Sequence, residues 1–183
     1  MKRSIFVAAL AGMALAAAPL TARAQVSMAK PVQIGFAAGA ALPTSNLSDV
    51  ANTGFNGTIT LGLNPAMIPL GVRIDGAYNH FGVKSAFGGG DVHSTSVTGN
   101  LVYRIPGATI SPYAIGGAGW YHAALGSRIG FVNGTDNHFG WNIGGGISMP
   151  LSGFDTFIEA RYNQIQADGG SAKFIPITFG IMF

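Results

Sequence analysis

Residues 174–183 read Phe174-Ile175-Pro176-Ile177-Thr178-Phe179-Gly180-Ile181-Met182-Phe183. Every second residue, Ile175, Ile177, Phe179, Ile181 and Phe183, is large and apolar. A strict period of two describes a β-strand with one greasy face. The chain stops on an aromatic with no polar residue after it. In water, an apolar strand with an open edge is an aggregation hazard. The same segment is stable where lipid covers the greasy face and the first strand of a closed sheet covers the edge.

The other end carries a matching signal. Lys2 and Arg3 precede a mostly apolar run from Ile5 to Leu20, and Ala22-Arg23-Ala24 is a small-residue cleavage pattern before Gln25. Residues 1–24 are therefore expected to be a secretory signal peptide, with Ala22 and Ala24 as the signal for cleavage before Gln25, and residues 25–183 a single domain. Removing Lys2, Arg3 and Arg23 leaves seven basic residues against seven acidic ones. The basic isoelectric point is then no argument for nucleic-acid binding.

Cysteine is absent, which excludes disulfides, thiolate metal sites and a lipidated N-terminal cysteine. Charged residues make up only 9% of the chain, well below the quarter or so usual in globular proteins. Yet no stretch of the expected mature chain has about 18 consecutive apolar residues, as a membrane-crossing helix needs. Low charge and high glycine without such a helix point to strands that cross lipid.

Eight alternating segments are expected: roughly Val32 to Leu42, Gly54 to Leu63, Leu70 to Val83, Val92 to Ile105, Thr109 to Leu125, Asn137 to Met149, Phe154 to Ala167, and a last one ending at Phe183. Thr44 to Thr53 and the Gly-rich Ser85 to Asp91 read as loops, as do Ser127 to Asp136 and Asp168-Gly169-Gly170. Short turns fall near Pro65, Pro106 and Pro150. This alternation of long and short connections is that of short periplasmic turns and longer surface loops.

Parity separates two faces. In the second segment Phe55, Ile59, Leu61 and Leu63 oppose Asn56, Thr58, Thr60 and Gly62. In the fourth, Val97, Leu101 and Tyr103 oppose Thr98, Asn100 and Arg104, and in the sixth, Phe139, Trp141, Ile143, Ile147 and Met149 oppose Gly140, Asn142, Gly144, Gly146 and Ser148. The second set is too small and polar for a soluble core, so the apolar set is assigned to lipid and the polar set to a lumen. Tyr78, Phe81, Trp120, Tyr121, Phe139 and Trp141 are expected as an outer aromatic girdle, and Tyr103, Tyr113, Phe154 and Phe183 as an inner one. If Ile115 faces lipid, parity turns Trp120 inward as a lumen filler.

On strand count, loop asymmetry and the Phe174–Phe183 segment, the chain resembles the small eight-stranded outer-membrane barrels, the family of the OmpA membrane domain and the OmpX and Ail proteins. The resemblance implies an all-β, eight-stranded antiparallel up-and-down transmembrane barrel in the bacterial outer membrane, reached through the periplasm. It also implies that Ile175, Ile177, Phe179, Ile181 and Phe183 form the signal read by the barrel-assembly machinery. The other expected partners are outer-membrane lipid and lipopolysaccharide, with no nucleic acid. The chain is expected to be a monomer without the peptidoglycan-binding domain that follows the barrel in OmpA.

Arg73 and Asp75 share the inward face of the third segment, Glu159 and Arg161 that of the seventh, and Arg104 that of the fourth. Segments three and seven of eight lie across the ring from each other, within reach of long side chains. Charges in such an interior must be paired or hydrated. They are read as a salt-bridge plug, with an ion gate of the kind attributed to OmpA-type lumens as the alternative. His80, His93, His122 and His138 lack zinc-like local spacing, and neither metal nor cofactor is expected. Asp91-Val92-His93-Ser94 with Ser96 is the one cluster that invites an enzyme reading, but His93 and Ser94 point to opposite faces of a strand. Gly88-Gly89-Gly90 and Gly144-Gly145-Gly146 lack the helix and Lys-Ser/Thr of a phosphate loop. The expected function is a non-enzymatic envelope-structural or surface-displaying barrel, with a narrow ion or small-molecule channel and a lipid-modifying enzyme as alternatives.

Overall fold

The computed structural model describes residues 30–65, 68–105, 110–125, 136–167 and 170–183. The expected signal segment with Ala22 and Ala24, the Pro106-Gly107 turn, the loop around Gly134 and the loop residues 168 and 169 lie outside the described residues.

Eight strands follow one another: β1 (Val32–Thr44), β2 (Gly54–Leu63), β3 (Leu70–Gly82), β4 (Asp91–Arg104), β5 (Ser111–Leu125), β6 (Asp136–Pro150), β7 (Asp155–Ala167) and β8 (Gly170–Met182). Each pairs antiparallel with its neighbours, and β1 pairs with β8, so the sheet closes. The seam runs from Gly35↔Met182 to Thr44↔Lys173. Closure leaves no open strand edge, which a sheet in hydrocarbon requires because lipid offers no hydrogen bonds. Thr44 to Thr53, expected to be a loop, contains a short helix, α1 (Asn46–Val50).

The faces follow period two. Ile59, Val97, Ile143 and Phe179 are exposed on the outside, while Thr60, Thr98, Asn142 and Thr178 are buried in the lumen. This inversion of the usual soluble pattern suits a wall bathed in lipid. Strand β5 departs from the conditional reading above. Ile115 is 2% exposed and faces the lumen, so Trp120, at 67%, faces outward, edge-on to Phe139 at 6.5 Å between ring centroids. Trp120 therefore belongs to the outer girdle. Phe81, Tyr113 and Tyr121, expected in the girdles, are buried inside instead. Each sits on the inward parity of its strand, and the two tyrosines find acceptors there for their hydroxyls.

The closing seam depends on a residue without a side chain. A Cβ at Gly39 would lie 1.9 Å from the Ile177 carbonyl oxygen and 2.7 Å from the Thr178 Cα. Backbone atoms cannot yield as a side-chain tip can, so β1 approaches β8 this closely only with glycine there. Gly39→Val is expected to block the seam, while Ala38→Val, one residue away on the exposed face, preserves it. Circular dichroism and resistance to protease after refolding would show the first variant losing the barrel and the second retaining it.

Candidate functional site

Two arginines and two carboxylates meet inside the barrel. On β3, Arg73 and Asp75 are two residues apart and share the inward face, and Glu159 and Arg161 do the same on β7. Arg73 lies 3.0 Å from Asp75 through Nε and 3.0 Å from Glu159 through Nη1. Its Nη2 donates to Glu159 Oε1 at 3.1 Å, making the second contact a fork. Arg161 reaches Asp75 at 2.7 Å and also pairs with Glu159. The result is a closed ring of four ion pairs with equal numbers of each sign.

Remaining lone pairs are taken by neighbours. Thr60 Oγ1 donates to Asp75 at 2.6 Å, Asn100 Nδ2 to Asp75 at 2.9 Å, and Tyr113 OH to Glu159 at 2.8 Å. The guanidinium of Arg73 sits 5.6 Å from the centre of the Phe157 ring. Arg104, grouped with these charges from its parity, stands apart. It hydrogen-bonds Asn64 at the end of the barrel where the chain enters β1. Its strand carries it past the ring toward that mouth, so the interior charge is balanced without it.

Apolar clusters stand at both ends of the lumen. Ala41, Ala51, Phe81, Tyr121, Ile165 and Phe174 pack together at the loop end, with Phe81 and Phe174 edge-on at 5.5 Å. Leu47 of α1 packs onto this cluster from above. The loop is tied down by an Ala51–Val83 bridge and by Lys84 Nζ donating to the Ser48 carbonyl at 2.7 Å. Val102, Tyr113, Ile115, Phe157 and Met182 fill the other end. A small cavity lies between, bounded by the charged ring and by Tyr121 and Phe174, with Asn56, Asn79, Ser96 and Asn163 in its wall.

The outward face of the loop end holds a second cluster. Register places His80 directly opposite His93 and Gly82 opposite Asp91. His80 Nε2 is 3.5 Å from Asp91 Oδ1, the two imidazoles are 4.8 Å apart, and Tyr78 OH shares a 2.7 Å hydrogen bond with His93 Nδ1. Local spacing in the sequence could not reveal this set, because a strand pairing makes it. Its signal is the parity of Tyr78 and His80 on β3 against Asp91 and His93 on β4, read through the hairpin. His122 bonds Asn137 instead, at 3.2 Å. Ser94 is buried on the opposite face from His93, and its Oγ has no hydrogen-bond partner among the described residues.

The sequence pattern of the family described as "Outer membrane protein beta-barrel domain" matches residues 6–183. No curated protein matches the chain. Among solved structures, Neisserial surface protein A is 18% identical, with a TM-score of 0.66 over 83% of this chain and 96% of that one. The outer membrane enzyme PagL is 19% identical, with a TM-score of 0.50 over 82% of this chain and 98% of that one. The N-terminal β-barrel domain of Pseudomonas aeruginosa OprF is 15% identical, with a TM-score of 0.50 over 82% and 97%. At these identities the likeness is one of fold.

Breaking a buried ion pair from one side leaves an uncompensated charge, at about 3–5 kcal/mol. Glu159→Ala would leave Arg73 and Arg161 sharing Asp75 alone, and that loss of stability is expected. Arg104→Ala, outside the ring, is expected to cost less, about 1.5–3 kcal/mol, the worth of one hydrogen bond from a charged group. Equilibrium unfolding of both variants in denaturant, inserted in lipid vesicles, measures the contrast.

Proposed function

The chain belongs to the outer membrane protein β-barrel domain family, and from that premise we propose that it is a non-enzymatic integral barrel with a sealed lumen, acting through its wall and its outer loops. The fold and family make it a protein of the bacterial outer membrane. The observation that carries the proposal is the filling of the interior. An apolar cluster occupies each end of the lumen and a charge-balanced ring lies between them. Eight strands enclose an interior about wide enough for side chains to fill. An ion entering would have to part either Phe81 from Phe174 or Phe157 from Tyr113, then displace paired arginines and carboxylates.

The one sequence cluster that invited an enzyme reading does not pair a serine with its base: His93 faces out and Ser94 and Ser96 face in, so neither of these hydroxyls reaches that imidazole. PagL is an outer membrane enzyme, and its likeness to this chain is one of fold.

The remaining roles in this proposal rest on the sequence pattern and the family. Residues 1–24 direct export and are removed after Ala24. The outward row Ile175, Ile177, Phe179, Ile181 and Phe183 is the surface offered to the assembly machinery before β8 pairs with β1. Lipid and lipopolysaccharide are the barrel's surroundings, and closure without free edges makes the monomer sufficient.

Planar-bilayer recordings of the inserted protein are expected to stay silent, and mass spectra of lipid A are expected to be the same with and without it. Discrete openings in the unaltered protein would replace the sealed barrel with a conduit. A new lipid A species would restore the enzyme reading.

A further inference from the structure

We propose that His80, Asp91 and His93 form a binding site for a borderline divalent transition metal, with Zn²⁺ as its simplest occupant, on the outer rim of the barrel. The proposal is independent of whether the lumen conducts.

Three features of the geometry carry it. First, one ligand atom from each residue lies within 4.8 Å of the other two. Two donors bound to one tetrahedral zinc at about 2.0–2.1 Å are about 3.4 Å apart. His80 Nε2 and Asp91 Oδ1 already stand at 3.5 Å, long for a hydrogen bond and close to that tetrahedral edge. The His93 ring, centred 4.8 Å from the His80 ring, brings the third donor beside that edge.

Second, both imidazoles are held by partners that leave a nitrogen free. Tyr78 OH meets His93 Nδ1 at 2.7 Å, which leaves Nε2 as the nitrogen available to a metal. With a metal on Nε2, Nδ1 carries the ring proton and the phenol oxygen accepts it, the outer-shell arrangement that fixes tautomer and orientation in metal-binding histidines. His80 stacks on Phe55 at 5.2 Å with an interplanar angle of 18°, so its ring plane is set as well.

Third, the donor set selects the cation. Two imidazole nitrogens and one carboxylate suit Zn²⁺, Ni²⁺ or Cu²⁺ rather than Mg²⁺ or Ca²⁺, which take oxygen. Three protein ligands leave a fourth tetrahedral position for water or an outside ligand. The site is open to solvent, with His80 28% and Asp91 54% exposed, so an ion reaches it without unfolding the wall.

The test uses the full-length protein, extracted from outer membranes in detergent without a histidine tag. Co²⁺ is titrated while visible absorption is followed, and Zn²⁺ is then added in competition. The expected result is one tight site with tetrahedral Co²⁺ bands that Zn²⁺ abolishes and Mg²⁺ does not. His80→Ala and His93→Ala should each weaken affinity at least tenfold, and Tyr78→Phe about tenfold through loss of orientation. His122→Ala with His138→Ala should leave it unchanged. Circular dichroism of every variant confirms that the barrel remains. No saturable uptake by the native protein, or affinity that survives in a folded His80→Ala, would overturn the proposal, as would loss of the site only with His122 and His138.

Discussion

The pairing of β1 with β8 is the constraint on which the remaining structure depends. A sheet in hydrocarbon must satisfy every backbone amide and carbonyl within itself, and only closure does so. Closure in turn fixes what each residue can be. With eight strands the ring is narrow, so the inward row must be small where strands crowd and long only where side chains meet across the lumen. Gly39 and Gly180 answer the first demand. A Cβ on Gly180 would stand 2.3 Å from the Phe157 ring, so that glycine leaves the space in which Phe157 plugs the lumen. The arginines and carboxylates of β3 and β7 answer the second.

Those buried charges are costly apart and tolerable together. Each arginine touches both carboxylates, and each carboxylate touches both arginines. Removing any one leaves three groups that cannot balance. The stability of such a cluster comes from completeness rather than from any single pair, since the desolvation of the ions offsets most of their attraction. Placing the pairs two residues apart on facing strands lets the β period do the positioning. Neighbours such as Thr60, Asn100 and Tyr113 then supply the hydrogen bonds that four ions alone cannot.

Period two made much of this legible from the chain alone. Strand β2 runs from Gly54 to Leu63 in both readings, because Phe55, Ile59, Leu61 and Leu63 contrast sharply with Asn56, Thr58 and Thr60. Strand β5 was ambiguous for a physical reason. Between Ile115 and Trp120 it reads Gly116-Gly117-Ala118-Gly119, which has no polar contrast to say which side is lipid. Aromatic residues misled in a different way. A phenol ring suits a wet interface and also a lumen with an acceptor in reach, and only the fold shows Glu159 and Asn163 waiting for Tyr113 and Tyr121. The Arg73–Glu159 contact and the His80–His93 pair are both non-local. The first could be anticipated from strands facing each other across a ring. The second needed the hairpin register, in which a shift of one residue would send the two imidazoles to opposite faces.

The same closure that fills the lumen leaves the rim as the place where chemistry can vary. Inside, a substitution must preserve charge balance, ring packing and strand approach at once. At the loop end of the outer face, a side chain meets neither the lumen nor the hydrocarbon centre, and Tyr78, His80, Asp91 and His93 can be polar without breaking any of those demands. Strands β3 and β4 supply rigid positions there, separated by a loop whose Gly88, Gly89 and Gly90 all take positive φ. That left-handed run turns the chain outside the barrel wall and lets the two strands stay paired up to Gly82↔Asp91. Pairing that extends to the last residue is what sets Asp91 beside His80, so the rigidity of the rim cluster is inherited from the ladder that closes the barrel below it.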